Sequence, residues 1–476
     1  MLFNSFDFAV FFPVVTLLYF LLPHRARVAW LVAASCWFYM AFVPKYLLIL
    51  FGVILIDYTA GRLIAPAQGT RRRWYLALSI IANAGLLAFF KYFNFFQANA
   101  AAIAAWFGHP APFPALHLLL PIGLSFHTFQ SMSYTIEVYR GRAPAERSIL
   151  HFACYVLFYP QLVAGPIERP QNLLSQFHTS HRFDGERLFL GLRLMATGLF
   201  KKIIIADRLA PFADAAYTAP AHYSGADLLI ATYFFAVQIY CDFSGYSDIA
   251  RGAARVMGID LMENFNRPYL AASFADFWRR WHISLSTWFR DYLYIPLGGN
   301  RAGHGRRTLN LLAVFAVSGL WHGANWTFLI WGLLHGVFLI AELAVTRGKP
   351  AASGPWRAML RGFLVFNVTC LAWVFFRATD LASARLVLTR IVTAFAETGS
   401  VSLLAPDALN FWCSLGLALA LFAVEAIGRQ RSVWAMLDEK PRWQRWTAYY
   451  VFAVAFAILA LTGPQHSAKP FIYFQF

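Results

Sequence analysis

His322 and His335 are the residues of this chain whose surroundings most invite chemistry. His322 lies in Ser318-Gly319-Leu320-Trp321-His322-Gly323-Ala324-Asn325-Trp326, and His335 in Trp331-Gly332-Leu333-Leu334-His335-Gly336, both amid apolar runs. An ionisable ring in such a setting is costly unless it is used or well paired. Burial disfavours the imidazolium form and keeps a basic nitrogen available near neutral pH. A neutral imidazole held against a hydroxyl can take its proton as a nucleophile forms. Gly319 and Gly323 allow close backbone approach on either side of His322. Asn325 is placed to cap a following helix. The residues alone equally allow a structural histidine bonded to a backbone carbonyl.

A second group is denser: Phe277-Trp278-Arg279-Arg280-Trp281-His282-Ile283-Ser284-Leu285-Ser286-Thr287-Trp288-Phe289-Arg290-Asp291-Tyr292. At 3.6 residues per turn, Trp278, Trp281, His282, Leu285 and Phe289 share one helix face. Three arginines and Asp291 are too costly for a lipid-facing span. The run is therefore expected as a surface helix, or as one buried against a wet cavity. An interfacial belt of aromatics and arginine is the plainer alternative. A third group, Tyr240-Cys241-Asp242-Phe243-Ser244-Gly245-Tyr246-Ser247-Asp248, ends an apolar run. Two carboxylates six residues apart do not share a helix face. A polar network, with one Asp capping a helix, is favoured over cation coordination.

The elements that must position these groups are membrane helices. Of 476 residues, 59% are hydrophobic and 13% charged, against about 25% charged in soluble domains. Mean hydropathy is +0.53. Spans need about twenty mostly apolar residues. Candidates are 8–23, 28–43, 46–65, 75–93, 116–138, 150–165, 187–206, 227–248, 309–323, 326–346, 359–377, 409–427 and 447–463. The expectation is an all-α polytopic membrane protein of roughly eleven to thirteen membrane segments, some tilted or re-entrant. Pro121-Ile122-Gly123 and Gly165-Pro166 predict broken helices, tolerated at membrane depth only inside protein or beside a cavity. One domain spans 1–476, with a core at about 115–346 and peripheral helices at 1–114 and 347–476.

The net charge of +17 sits in short loops: His24-Arg25-Ala26-Arg27, Arg71-Arg72-Arg73, Arg306-Arg307 and Arg429 to Arg445. That pattern follows the positive-inside rule and argues against nucleic acid as a partner. It places the N-terminus outside and the Arg-rich turns in the cytoplasm. Ala382–Phe395 reads as an amphipathic helix on the membrane surface. Met1 to Asp7 lack the positive region of a cleavable signal, so the first apolar run is expected to be a retained span. Cys36, Cys154, Cys241, Cys370 and Cys413 form no C-x-x-C pair and read as free core residues. No His/Cys/Asp spacing demands a metal.

Taken in order, the motifs carry a resemblance. They run from Met1-Leu2-Phe3-Asn4-Ser5 through Pro160-Gln161-Leu162-Val163-Ala164-Gly165-Pro166-Ile167 to Asp242-Phe243-Ser244-Gly245-Tyr246-Ser247-Asp248. Phe277 to His282, Trp288 to Gly299, Trp321-His322-Gly323 and Pro470-Phe471-Ile472-Tyr473-Phe474 follow. The chain resembles the membrane-bound O-acyltransferases, in the bacterial branch that O-acetylates exported polysaccharides such as alginate. The resemblance covers nearly the whole chain.

It implies a helical bundle around a tunnel open to both faces, in a bacterial inner membrane. It implies His322 as the principal catalytic residue and His282 as the second polar position. His335, Asn325, Asp291 and Trp321 remain weaker catalytic or tunnel candidates. Arg279, Arg280 and Arg290 would suit the phosphates of coenzyme A. The implied donor is acetyl-CoA, as a substrate and with no bound cofactor. The implied partners are an extracytoplasmic acetyltransferase and the exported glycan. Transfer of D-alanine or another acyl group to teichoic acid, peptidoglycan or cellulose is the alternative within the class. Outside it stand a transporter or export channel, suggested by Asp57, Asp242 and Asp248, and a bis-His haem protein. His322 and His335 would lie about 220° apart on an ideal helix, which disfavours haem.

Overall fold

Apolar runs too long for a soluble core dominate the chain, and they fold as helices. Seven helices among the described residues are long and apolar enough to cross a membrane: Pro44–Ile64, Gly69–Trp106, Gly225–Val256, Trp326–Thr346, Trp356–Arg377, Ala408–Ile427 and Arg442–Thr462. Phe6–Leu21 is a shorter apolar helix. No β-strand occurs among the described residues. The protein is thus an all-α polytopic membrane protein. The structure, a computed structural model, describes all residues except 112, 117–119, 302, 347–353, 394–401, 404–406, 464–469 and 473–476. Parts of the expected 116–138 span, the Ala382–Phe395 helix and the Pro470–Phe474 motif therefore lie outside the described residues.

The fold divides into two compact units, one built on Met1–Thr197 with Tyr246–Glu263, the other on Gly198–Gly245 with Asn264–Ile472. The first holds α1 (Phe6–Leu21), α2 (His24–Met40), α3 (Leu47–Ile64), α4 (Gly69–Leu87), α5 (Phe93–Trp106), α6 (Leu124–Tyr139), α7 (Ile149–Leu157), α8 (Leu173–Gln176) and most of α9 (Gly185–Leu199). Starts are set by local chemistry. The Ser5 hydroxyl accepts from the Phe8 N–H at 3.3 Å and opens α1, and Ser148 does the same for α7 through His151. Each satisfies an amide the helix cannot. Gly123, at φ +77°, supplies the left-handed turn before α6.

Inside this unit the backbone from Phe158 to Gln171 is non-helical yet almost wholly buried. Its polar groups are answered within the protein by both backbone and side chains. Tyr155 Oη donates to the Glu168 carbonyl at 2.8 Å, Gln161 Nε2 donates to the Tyr155 carbonyl at 2.9 Å, and the Met262 N–H donates to the Glu168 carboxylate at 2.6 Å. This is the broken segment expected at Gly165-Pro166, tolerated because protein surrounds it. Asp57, in the middle of α3, is also fully buried. Ser79 at 2.6 Å, Asn83 at 2.9 Å and Ser131 all donate to its carboxylate. These neutral donors tie α3, α4 and α6 together where lipid offers none.

The second unit contains α10 (Asp207–Thr218), the first two-thirds of α11 (Gly225–Val256), α12 (Phe274–Arg280), α13 (Ile283–Phe289), α14 (His304–His322), α15 (Trp326–Thr346), α16 (Pro355–Arg377), α17 (Leu381–Thr393), α18 (Ala408–Ile427), α19 (Val433–Asp438) and α20 (Arg442–Thr462). Helices α14 and α15 form a tight antiparallel hairpin. A Cβ at Gly319 would overlap the Phe328 carbonyl, and one at Gly332 the Phe315 carbonyl. Small residues let the two backbones touch, the usual basis of helix packing in lipid. Arg208, 2% exposed, joins three helices of this unit, donating to Asn410 Oδ1 at 2.8 Å on α18 and to the Leu459 carbonyl at 2.5 Å on α20.

Two local expectations are corrected. The stretch 277–292 is not one helix. It breaks at His282 into α12 and α13, then tightens into a π-helical turn at Arg290–Tyr294. Nor does Asp242 cap a helix: it sits inside the 32-residue α11. Its place there is set by long-range partners that local periodicity does not reveal.

Candidate active site

His322 is the last residue of α14, and Gly323 closes the helix with an N–H to the Gly319 carbonyl at 3.3 Å. The C-terminal end of a helix carries partial negative charge. An imidazole there is favoured as it takes up a proton. Its side walls are aromatic: Trp321 and Trp331, each with ring centroids 5.0 Å away and edge-on, and Phe376 at 5.4 Å. His322 is 3% exposed and Trp331 not at all. The site excludes bulk water by packing.

His282 comes to the same place from another element. Its ring centroid lies 6.4 Å from that of His322 and 6.0 Å from Trp321. Phe243 meets it edge-on at 4.7 Å. The backbone at His282 is left-handed, φ 42° and ψ 55°, a conformation that costs a non-glycine residue about 1 kcal/mol or more. Asn264 holds it there. The Asn264 carbonyl accepts from the Ile283 N–H at 2.9 Å. Its Oδ1 accepts from the Ser284 N–H at 3.3 Å and the Ser284 hydroxyl at 2.9 Å, and lies 3.1 Å from His282 Nδ1.

The Ser284 N–H can only donate, so the amide atom it faces is the oxygen. His282 Nδ1 must then carry the hydrogen, which makes Nε2 the basic nitrogen. Burial pulls the His282 imidazole down to about 3, so it is neutral at ordinary pH. Asn264 was not picked out from the sequence. Nothing local marks it, because its role depends on a residue eighteen positions away.

Two further motifs meet behind this pair. Asp242 Oδ1 is 2.6 Å from Lys202 Nζ, and the Ile472 N–H donates to Asp242 Oδ2 at 2.6 Å. Lys202 also reaches Asp207 at 2.9 Å. It projects from a π-helical turn, Phe200–Ala206, an irregularity frequent at functional sites. The anchored Phe471 packs on Phe243 at 5.2 Å, and Phe243 supports His282. The Asp242 group is therefore a structural polar network that buttresses the histidine.

The other expected residues fall as follows. Trp321 is a wall beside both histidines. Asn325 caps α15: its Oδ1 accepts from the Thr327 N–H at 3.1 Å, and its Nδ2 donates to the Thr379 carbonyl at 2.9 Å. His335 is fully buried, but Trp331 stands between it and His322, with centroids 5.1 Å from His335. Asp291 pairs with Arg290 at 2.8 Å. Arg279 and Arg280 both pair with Asp276, at 3.3 and 2.8 Å. Arg279 and Arg290 remain largely exposed despite these pairs. Exposed pairs of this kind are worth at most about 1 kcal/mol and exchange readily for another anion.

Two buried imidazoles in a water-poor aromatic enclosure can accept and return a proton beside a reacting hydroxyl. Comparison with known proteins gives the family. The model of the membrane-bound O-acyltransferase family matches residues 142–379, a range containing His282, His322 and His335. The chain is 42% identical to a probable alginate O-acetylase of Azotobacter vinelandii, over 78% of this chain and 74% of that one. It is 42% identical to the corresponding Pseudomonas aeruginosa protein, over 79% and 71%. It is 40% identical to a peptidoglycan O-acetyltransferase of Helicobacter pylori, over 82% and 80%.

Proposed function

The chain belongs to the membrane-bound O-acyltransferase family, and from that premise we propose that it moves acetyl groups from cytoplasmic acetyl-CoA to an exported polysaccharide, with His322 as the catalytic base. It is an O-acyltransferase; the relatives named for alginate and peptidoglycan O-acetylation support the acetyl group and the glycan class. The observation that carries the assignment of residues is the pair itself: two buried imidazoles 6.4 Å apart, one at a helix C-terminus and one locked by Asn264.

An acyl thioester is already activated, so the enzyme must supply a competent nucleophile and a place for the developing charge. His322 takes the proton of the acceptor hydroxyl as its oxygen attacks the thioester carbonyl. The carbonyl becomes a tetrahedral oxyanion, the carbon–sulfur bond breaks, and His322 gives the proton to the leaving sulfur, so that the thiol departs and the base is restored. His282 Nε2 orients the acceptor or receives its hydrogen bond while Nδ1 stays fixed on Asn264. Exclusion of water protects the thioester from hydrolysis. An extracytoplasmic partner protein carries the acetyl group on to the glycan.

The test is transfer from labelled acetyl-CoA by the purified protein in detergent, together with its extracytoplasmic partner. His322→Ala should abolish incorporation while the protein remains inserted and folded. Full activity in that variant refutes the assignment. Transfer from an acyl-carrier protein but not from acetyl-CoA replaces the donor and keeps the base.

A further inference from the structure

Helices α1 and α2 leave an open groove of about 1000 Å³ between them. Val10, Phe11 and Val14 on α1 face Ala33, Ala34 and Trp37 on α2 across it. The helices run antiparallel, with Phe8 and Phe11 on Phe38 at 6.3 and 5.8 Å between ring centroids. One end is closed. Trp30 reaches across from α2 and donates its indole N–H to the Val15 carbonyl of α1 at 3.0 Å. The other end, at Phe6 and Met40, is open and carries Asp7, the one charged side chain of the lining. Asp7 is exposed, whereas the nearby Met1 amino group is taken up by the Phe38 carbonyl at 2.9 Å.

The dimensions narrow what can lie there. Val10, Val14, Ala33 and Trp37 are all exposed, so no described part of the chain covers the groove. Phe6 and Val15 are nine residues apart on α1, which is about 14 Å. That is half of the roughly 30 Å hydrocarbon core, the depth of one leaflet. A partner's transmembrane helix must cross the whole core and would run into Trp30. Acyl chains of a single leaflet need no such passage. They also need no hydrogen bonds, and the walls below the mouth are apolar.

We propose that this groove binds one phospholipid with an amine headgroup, its acyl chains lying between α1 and α2 and its ammonium on Asp7. On the orientation read from the Arg-rich turns, the lipid belongs to the outer leaflet. The Trp37 indole, about a turn from the mouth, sits where interfacial tryptophans turn their N–H to ester and phosphate oxygens. The Asp7 carboxylate accepts from the ammonium in a charge-assisted bond. Phe11 ties the groove to the rest of its unit, meeting Tyr159 edge-on at 5.2 Å. Tyr159 belongs to the buried non-helical segment, so a lipid in the groove braces the outer side of that segment.

The experiment strips the purified protein of lipid in detergent. It then offers phosphatidylethanolamine or phosphatidylglycerol with the same acyl chains, read by native mass spectrometry and by thermal unfolding. Wild type should retain one phosphatidylethanolamine, unfold at a higher temperature with it, and prefer it by up to about fivefold, the worth of one exposed ion pair. Asp7→Asn should stay folded and hold the two lipids alike. Ala33→Phe, a change at an exposed position that fills the groove, should lose both the retained lipid and the thermal shift. Equal retention of the two lipids by wild type overturns the headgroup assignment. Retention by Ala33→Phe as strong as by wild type overturns the groove as the site, and absence of saturable retention by wild type overturns both. A second copy of the chain or a partner helix in the groove would appear as a protein complex that Ala33→Phe dissociates and lipid does not displace, which also overturns the lipid site.

Discussion

Asn264→Leu tests whether the site works through one locked tautomer. The substitution keeps the branched outline of a buried side chain, at a somewhat larger volume, and removes the oxygen that faces Ser284 N, Ser284 Oγ and His282 Nδ1. The Ser284 hydroxyl can rotate to another acceptor. The Ser284 N–H and His282 Nδ1–H are left without this partner, at roughly 1–3 kcal/mol each. Stability should therefore fall by about 2–6 kcal/mol, and the left-handed backbone of His282 also loses part of its brace. The imidazole no longer holds Nε2 as its basic nitrogen, and misplacement of this kind costs roughly 10- to 100-fold in kcat, about 1.4–2.7 kcal/mol in the barrier. Asn264→Asp keeps the acceptor and adds a charge that favours imidazolium, so it should retain much more activity than the leucine variant. The assay is transfer of labelled acetyl beside tryptophan-monitored unfolding in detergent. If the leucine variant keeps kcat within about twofold of wild type, or if Asp and Leu are equally damaged, the tautomer lock is refuted.

Two further outcomes follow from the packing and the charges. Gly332→Ala places a Cβ against the Phe315 carbonyl and should force the α14–α15 hairpin apart, at roughly 1–3 kcal/mol or more; it moves His322 as well, so both unfolding temperature and transfer should drop, and an unchanged unfolding temperature contradicts the close approach. Glu146, outside the spans, feels burial that raises its carboxyl, but the Ser148 N–H, His178 and the Arg147 N–H outweigh it and hold the group below its ordinary 4.5. A depressed carboxylate contributes stability above its unfolded value, lost as pH falls through the folded one. Glu146→Gln should thus cost about 1 kcal/mol near pH 7, with the difference from wild type shrinking on acidification below pH 4.5; a difference that grows on acidification would reverse the sign.

Some features of the site are visible along the chain. Trp321-His322-Gly323 is readable because a histidine between glycines in an apolar run is rare and local. Gly319 and Gly323 announce close approach, and Asn325 announces a cap; both occur. The broken backbone at Gly165-Pro166 is likewise written in its residues. Periodicity fails at His282. The aromatic spacing from Trp278 to Phe289 fits one continuous helix face, yet hydrogen bonds from Ile283 and Ser284 to Asn264 split it. The arginines were legible as charges but not as ion pairs with Asp276 and Asp291.

Composition and hydropathy by themselves determined that this chain is helical and membrane-embedded, because apolar runs of about twenty residues satisfy their backbone in lipid as helices, whereas barrel strands are short and alternating. Ordered motifs added the family, since types and spacings are properties of the chain. Only the tertiary structure decided that His282 faces His322, that Asn264 fixes which nitrogen is basic, and that Trp331 separates His335 from the pair. These depend on contacts between residues far apart in sequence, where no local period or propensity carries information about the partner.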